Sequence, residues 1–364
     1  MLSFLGPQMN SVYNACSWLD FGFTIAESMG IHRSTSALGA NSMDKGRVKR
    51  LWWTLTIRDT HCAALLGRPF RINTPQCDVP MLDLDDFASE LDGDNHDSAL
   101  YQIEVARISI IGRSIIQRRF HSPDACMNLD NLQADLAKWR SQVPARLLLA
   151  NLNSNANIFA TALELLYQQH IILLHFDYSQ NLSAAQPRSI VTESSSAAMA
   201  ISAAQEIASS ASRLVTRGVV HQLPHEVFTG FFISGIVYHR QISSSNLLMS
   251  QAARASLDNC RMLLHEIHDA WDPAFWSIRI FDFLLTRANA QKTLGSGAQE
   301  SSSAGIHATN DDSVPSGDVV AFDEGLSASF DPEDMMTNGW MGADLTIPDS
   351  FEDFLLMPNF FGPG

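Results

Sequence analysis

The sequence is poor in the residues and motifs that build metal centres and nucleotide sites. None of its five cysteines stands in a C-x-x-C or other metal-ligand spacing, and their odd count and wide separation favour reduced thiols. A G-x-G-x-x-G turn, a P-loop and a G-x-S-x-G elbow are all missing. These absences argue against zinc fingers, disulfide-stapled secreted domains, and the common dinucleotide, nucleoside triphosphate and hydrolase sites.

Long hydrophobic runs are missing as well. The longest, near residues 227–238 and 171–176, are too short to cross a bilayer. The N-terminus lacks the basic start and the cleavage site of a signal peptide. We therefore expect a soluble, intracellular protein with no membrane partner.

Basic residues are absent from one end of the chain. Residues 301–364 contain twelve Asp and Glu but no Lys or Arg. The whole chain has 39 acids, 24 bases and a formal net charge of −15, so the other 300 residues carry 39 − 12 = 27 acids against 24 bases, a net charge of −3. Neither part offers the basic surface that nucleic-acid binding needs.

Histidine pairs are the remaining candidates for catalysis or metal binding. His265 and His268 are three residues apart, whereas a zinc-protease helix needs four, so a solvated helix face is favoured. His221 and His225 have the four-residue spacing, but Pro224 lies between them and disfavours a continuous helix. We expect neither an enzyme nor a metal site.

Apolar residues at helical spacing predict an all-α, multi-helix body. The first helix places Trp18, Phe21, Ile25 and Met29 on one face, with Gly30 as its stop. No convincing strand alternation appears. The further predicted helices are Ala99–Phe120, Asn128–Gln142, a central Ile158–Tyr178, Ser189–Thr216, one opened by Pro224, Ala253–His268 and Phe275–Ala290.

The stretch Arg47–Phe87 organises the body. Its first part is a helix with Val48, Leu51, Leu55, Cys62 and Leu66 on one face. Asp59 lies on that apolar stripe and needs a partner, for which Arg50, Arg58 and Arg68 are the candidates. The adjacent Trp52 and Trp53 point about 100° apart, so the helix should be covered on two sides. The basic residues at its start suit a nuclear localisation patch or structural ion pairs.

Together these residues resemble the middle homology region of fungal-specific, zinc-cluster-type transcription factors, in particular the branch of cutinase and acetamidase regulators. The resemblance is clear from about Ser17 to Phe87 and includes Met29-Gly30-Ile31-His32-Arg33. Its motif residues, to which we assign a structural or regulatory role rather than a catalytic one, are Arg50, Trp52, Trp53, Arg58, Asp59, Gly67, Arg68, Pro69, Asp78 and Pro80.

The composition changes after Lys292, where a Gly/Ser-rich linker leads into the acidic tail. We expect a regulatory domain over residues 1–292 and a linker with a disordered tail over 293–364. Phe351, Phe354 and Leu355 lie among acids and form a candidate activation segment that docks in a partner's groove. The alternative is a tail that only improves solubility.

The resemblance implies a nuclear regulator of RNA polymerase II transcription in a fungus, for a metabolic or secondary-metabolite gene set. Expected partners are a coactivator or the transcription machinery, through the tail, and a second subunit in a homodimer or heterodimer. The family's zinc cluster is absent from residues 1–364, and we expect the domain to be incomplete at its N-terminus. We therefore expect no cofactor in this chain, and DNA contact only indirectly or through a missing N-terminal domain. The alternative is a helical ligand-binding or scaffold protein that does not bind DNA.

Overall fold

A computed structural model describes residues 15–34, 42–66, 69–88, 95–120, 128–148, 157–176, 190–242, 246–271 and 273–286. Within these ranges the regular elements are α-helices and short 3₁₀ turns, and no strand occurs, which confirms the all-α prediction. The helices are α1 (Ala15–Ser28), α2 (Ser42–Leu66), α3 (Asn95–Phe120), α4 (Leu129–Gln142), α5 (Ile158–His175), α6 (Ile190–Arg217), α7 (Phe228–Ile242), α8 (Leu247–Ile267) and α9 (residues 273–286).

Asparagine side chains set the starts of three helices. Asn128, Asn157 and Asn246 each accept a hydrogen bond from a backbone N–H in the first turn, which satisfies donors that have no partner inside the helix. The last of these caps starts α8 well before the predicted Ala253. Pro224 is followed by a short 3₁₀ turn, and α7 begins only at Phe228.

Helix α5 is the central helix, as predicted, and packs against α3, α4, α6 and α7. It runs parallel to α3, because Tyr101 lies against Phe159 near the start of the pair and Gly112 lies against His170 further along. A Cβ at Gly112 would approach the His170 Nε2 to 2.5 Å, so only glycine allows these two helices so close together. The close approach fixes the position of α5 along the axis of α3.

The first helix packs with a face different from the one predicted. Leu19, Phe23 and Ala26 are buried, whereas Ile25 and Met29 are 60% and 61% exposed. Phe21, also on the predicted face, is half-exposed. Helix α1 packs against α2 through Phe23 and Gly22, not through its row of larger apolar side chains.

Gly30 ends α1 in the left-handed conformation, with φ of 71°, as its role as a helix stop predicts. None of the helices in the described ranges has the length and apolarity needed to span a bilayer. The predicted linker and acidic tail, residues 293–364, lie outside the described residues.

Candidate functional site

The segment after α2, residues 69–88, is extended apart from two 3₁₀ turns, Thr74–Gln76 and Leu84–Phe87, and we call it the strap. Prolines at 69, 75 and 80 keep it from continuing the helix, because proline lacks the backbone N–H that a helix interior uses. Side chains of α1, of the turn after it, of α2 and of α3 bind the strap at several places along its length. Five of the ten motif residues take part in these contacts, namely Arg50, Trp53, Asp59, Asp78 and Pro80.

The first attachment is made by Asp59, which is 3% exposed. Its Oδ1 accepts from the Arg71 N–H at 2.9 Å and its Oδ2 from the Ile72 N–H at 3.1 Å. The same Oδ2 accepts from the Arg113 Nη1 of α3 at 2.8 Å. One carboxylate thus joins the strap, α2 and α3.

Arg113 completes this attachment and corrects the prediction for the partner of Asp59. Its Nη2 donates to the Ile72 carbonyl at 2.7 Å, and its guanidinium lies 4.0 Å from the centroid of the Phe70 ring. The predicted partners were Arg50, Arg58 and Arg68, all close to Asp59 in sequence. Arg50 instead lies over the Phe87 ring, and Arg68 is outside the described residues.

The two tryptophans face different neighbours, as their angular separation predicts. The Trp53 indole N–H donates to the Pro80 carbonyl at 2.8 Å and forms the second attachment. The Trp52 ring packs edge-on against Phe23 of α1, with 6.4 Å between centroids. Both side chains are buried, so α2 is covered on two sides.

The third attachment is an ion pair at the end of the strap. The Lys49 Nζ lies 2.6 Å from an Asp86 carboxylate oxygen and 3.0 Å from one of Asp83. Burial lowers the pKa of Lys49, but the bonds to the two carboxylates outweigh it and leave that pKa raised. Gly46 lets the strap approach α2 here, since a Cβ would lie 2.7 Å from the Asp86 carbonyl oxygen. Part of the basic start of α2 therefore serves structural ion pairs.

The fourth attachment joins the strap to the end of α1. The Asp78 Oδ1 accepts from the Ser34 N–H at 2.6 Å, and the Arg33 Nε lies 3.7 Å from the same oxygen. Arg33 also donates to the Gln76 carbonyl at 3.2 Å. These side chains are largely exposed, so this attachment is weaker than the one at Asp59.

Arg58 is next to Asp59 on α2, but adjacent helix residues point about 100° apart, so the two side chains face different neighbours. Arg58 belongs to a separate cluster of polar residues. Burial lowers the pKa of His61 to about 3, and the Arg58 charge contributes to that lowering. Burial raises the pKa of Glu226, whereas Arg58 partly opposes that rise. Burial, together with the charge of Glu226, raises the pKa of Tyr101. We call these four residues the interior polar row.

The Tyr101 hydroxyl in this row is buried and makes no hydrogen bond within the described part of the chain. His170 adjoins the row, and its Nδ1 bonds the Leu166 carbonyl at 2.6 Å. Burial lowers the pKa of His170 as well, so the imidazole is neutral at pH 7. At neutral pH the row combines the neutral His61 imidazole with the charged Arg58 guanidinium.

The structure therefore unites most of the predicted motif residues at the strap. Pro69 is its exposed start. Gly67 and the activation segment, Phe351, Phe354 and Leu355, lie outside the described residues. Among the described residues, no group of three or more His, Cys, Asp and Glu could hold a metal ion.

Sequence reasoning missed Arg113 and the pairing of Lys49. The signal for Arg113 was present, because it stands at helical spacing from the buried Ser109 and Ile116 and so lies on the buried face of α3. A charged residue on a buried face calls for a counter-charge on a facing helix, and Asp59 met that condition.

Comparison with known proteins finds relatives of this chain by sequence. Cutinase transcription factor 1 alpha of Fusarium vanettenii is 39% identical over 85 residues, 23% of this chain and 9% of that protein. The acetamidase regulatory protein of Emericella nidulans is 25% identical over 270 residues, 74% of this chain and 33% of that protein. An uncharacterized transcriptional regulatory protein of Schizosaccharomyces pombe is 26% identical over 172 residues, 43% of this chain and 21% of that protein.

The chain spans about a third or less of the length of these relatives. No solved structure matches it. Residues 8–173 match the family described as the fungal specific transcription factor domain, and this range includes α1 to α4, most of α5 and the whole strap. The chain is thus similar in sequence to fungal transcription regulators, and its residues 8–173 match the fungal specific transcription factor domain.

Proposed function

We propose that this chain regulates RNA polymerase II transcription of a metabolic gene set in the nucleus, and does so without catalysing a reaction. The supporting observation is the strap, since three of its attachments include the motif residues Asp59, Trp53 and Asp78, which lie within the matched range. Two relatives are named for the regulation of cutinase and acetamidase, which are metabolic enzymes. The body then serves as the regulatory part of the molecule.

Contact with DNA is proposed to come from a partner or from a segment outside residues 1–364. The body carries a net charge close to zero, and a DNA-binding surface needs clustered Lys and Arg. A heterodimer with a DNA-binding partner would supply such a segment in trans. The purified chain should therefore show no sequence-specific binding to duplex DNA at physiological salt, and a gel shift that survives excess competitor DNA would contradict this.

The acidic tail is proposed to recruit a coactivator or the transcription machinery. Phe351, Phe354 and Leu355 would form a short helix and insert into an apolar groove of the partner. Each fully buried ring or leucine contributes about 1.5–3 kcal/mol, against an ordering cost of about 2–5 kcal/mol. Binding should therefore be weak and reversible, as recruitment requires.

A reporter assay tests this role. Residues 293–364 fused to an unrelated DNA-binding domain should activate transcription. Replacing Phe351, Phe354 and Leu355 by alanine should remove most of the activity although every acid is retained. Replacing Met335, Met336 and Met341 by alanine is the control and should leave the activity high. A silent parent, or a triple variant as active as the parent, would reduce the tail to a solubilising segment.

A second candidate function is the binding of a small polar ligand. The interior polar row favours it, because a buried hydroxyl such as that of Tyr101 is normally hydrogen-bonded. A ligand that occupies the row should raise the melting temperature of the parent and not that of a Tyr101→Phe variant. If every ligand that stabilises the parent stabilises the variant equally, the row is a structural feature filled by water.

A further inference from the structure

We infer that Thr74 is a phosphorylation site for a proline-directed protein kinase. The chain contains two dipeptides in which Pro follows Ser or Thr, Thr74-Pro75 and Ser122-Pro123. Ser122 lies outside the described residues, whereas Thr74 stands on the strap in an exposed turn. The inference does not depend on what the tail does.

Accessibility is the first argument. The four residues 73–76 are all exposed, and nothing in their turn is buried. The Thr74 hydroxyl bonds to no other group among the described residues, so a kinase would displace no side-chain contact of Thr74. The turn is closed by the Gln76 and Cys77 backbone N–H groups and by the Cys77 thiol, and Arg33 donates to its Gln76 carbonyl. Exposed bonds of this kind cost little to open.

The residue after Thr74 is the second argument. Proline has no backbone N–H, so a kinase pocket that receives it does not have to provide an acceptor at that position. Most other residues would bring an N–H that loses its bond to water inside the same pocket. In the transfer, the Thr74 Oγ attacks the γ-phosphorus of Mg·ATP and the bond to the β–γ bridging oxygen breaks. ADP leaves, and the hydroxyl proton passes to the catalytic base of the kinase.

The surroundings of Thr74 would respond to the new phosphate, which adds about −1.5 to −2 charge and three acceptor oxygens. Arg33 already reaches the turn, since it donates to the Gln76 carbonyl, and Arg71 lies three residues before Thr74. Their present ion pairs, to Asp78 at 3.7 Å and to Asp20 at 3.3 Å, are between exposed side chains. Such pairs are weak and exchange readily.

Phosphate attracts arginine more strongly than a single exposed carboxylate does, because it offers more charge and a geometry that accepts two parallel bonds. Arg33 should therefore turn from Asp78 to the phosphate, while Asp78 keeps its bond from the Ser34 N–H. Acids also face the turn, since the charge of Glu27 adds to burial in raising the pKa of Cys77. The phosphate would thus tie the end of α1 to the strap through Arg33.

The first test uses the full chain with Ser122→Ala, so that only one candidate dipeptide remains. Incubated in its folded state with a cyclin-dependent kinase and Mg·ATP, it should gain a single phosphate on Thr74, located by peptide mass spectrometry. Thr74→Ala should abolish that phosphate, and Pro75→Ala should slow its addition by about tenfold or more, a difference of about 1.4 kcal/mol. Arg71→Gln controls for a kinase that reads the preceding arginine, and should have little effect.

Three outcomes would overturn the assignment. They are phosphorylation of the urea-unfolded chain without that of the folded chain, full phosphorylation of Pro75→Ala, and phosphorylation that requires Arg71.

The structural consequence is read by hydrogen exchange. Phosphate on Thr74 should slow amide exchange over residues 29–34 several-fold, and Arg33→Gln should remove this effect while leaving phosphorylation intact. Equal slowing in both chains would show that Arg33 does not hold the phosphate.

Discussion

Replacing Asp59 by alanine should destabilise the body by about 3–5 kcal/mol, the cost of leaving one charge of a buried pair without its partner. The Arg113 side chain is only 9% exposed, so water compensates its charge poorly. The substitution also removes the acceptor of the Arg71 and Ile72 N–H groups, at about 1–3 kcal/mol for each donor that stays dry. A domain stability of about 5–15 kcal/mol would fall by about a fifth or more.

A double-mutant cycle isolates the pair from the rest of the attachment. Arg113→Ala should cost a similar amount, because it leaves the Asp59 carboxylate buried and the Ile72 carbonyl without its donor. The double variant should cost less than the sum of the two single variants by about 0.5–3 kcal/mol. Asp78→Ala is the matched control on the same strap, and its exposed pair should be worth less than about 1 kcal/mol.

Urea unfolding at pH 7, followed by far-ultraviolet circular dichroism, measures these differences. Equal denaturant slopes among the variants would show that they change stability and not the extent of unfolding. The reasoning fails if Asp59→Ala costs no more than Asp78→Ala, or if the two single losses simply add. Either result would mean that the strap is held by its apolar contacts and not by the Asp59 carboxylate.

Three further predictions concern packing and pH. Gly112→Ala should destabilise by about 1–3 kcal/mol despite the better helix propensity of alanine, because its Cβ would meet the His170 ring; a more stable variant in a thermal melt would contradict this. Phe23→Ala should lower the free energy of unfolding by about 3–5 kcal/mol, whereas Ile25→Ser should change it by no more than about 0.5 kcal/mol. A larger loss for Ile25→Ser than for Phe23→Ala would show that α1 packs with the face that its sequence predicts. The lowered pKa of His61 means that stability is full above about pH 6.5 and falls toward pH 3 by about 1.4 kcal/mol per pH unit. The stability of a His61→Asn variant should fall less steeply with pH over this range. An unchanged slope would show that the His61 imidazole already binds a proton in the folded state.

The strap shows where local signals were sufficient. Pro69 and the prolines after it forbid a helix, and the two adjacent tryptophans require two covering surfaces. Asp59 is buried as predicted, but the apolar stripe from which its burial was predicted is only partly buried, since Leu51 is 49% exposed and Val48 and Leu55 are half-buried. The partner of Asp59 did not follow, because Arg113 is distant in sequence and many arginines were equally plausible candidates.

The face of α1 shows where local signals were misleading. The spacing of Trp18, Phe21, Ile25 and Met29 is that of a packed helix face, yet Ile25 and Met29 are exposed. Packing against α2 is decided by how closely the two helices approach, and Gly22 brings its backbone next to the Leu55 side chain. A residue without a side chain carries no hydrophobic signal, so a periodicity argument gives it no weight.

The sequence by itself determined the helical class of the body, the position of the strap, the family resemblance and the separation of charge between body and tail. All of these depend on residue type and on spacing along the chain. Tertiary structure decided which arginine neutralises Asp59, which face of α1 is buried, and that Lys49 serves the strap. These features depend on which surfaces come into contact. Contacts between helices that are distant in sequence depend on how closely their backbones can approach and on the pairing of the charges buried between them.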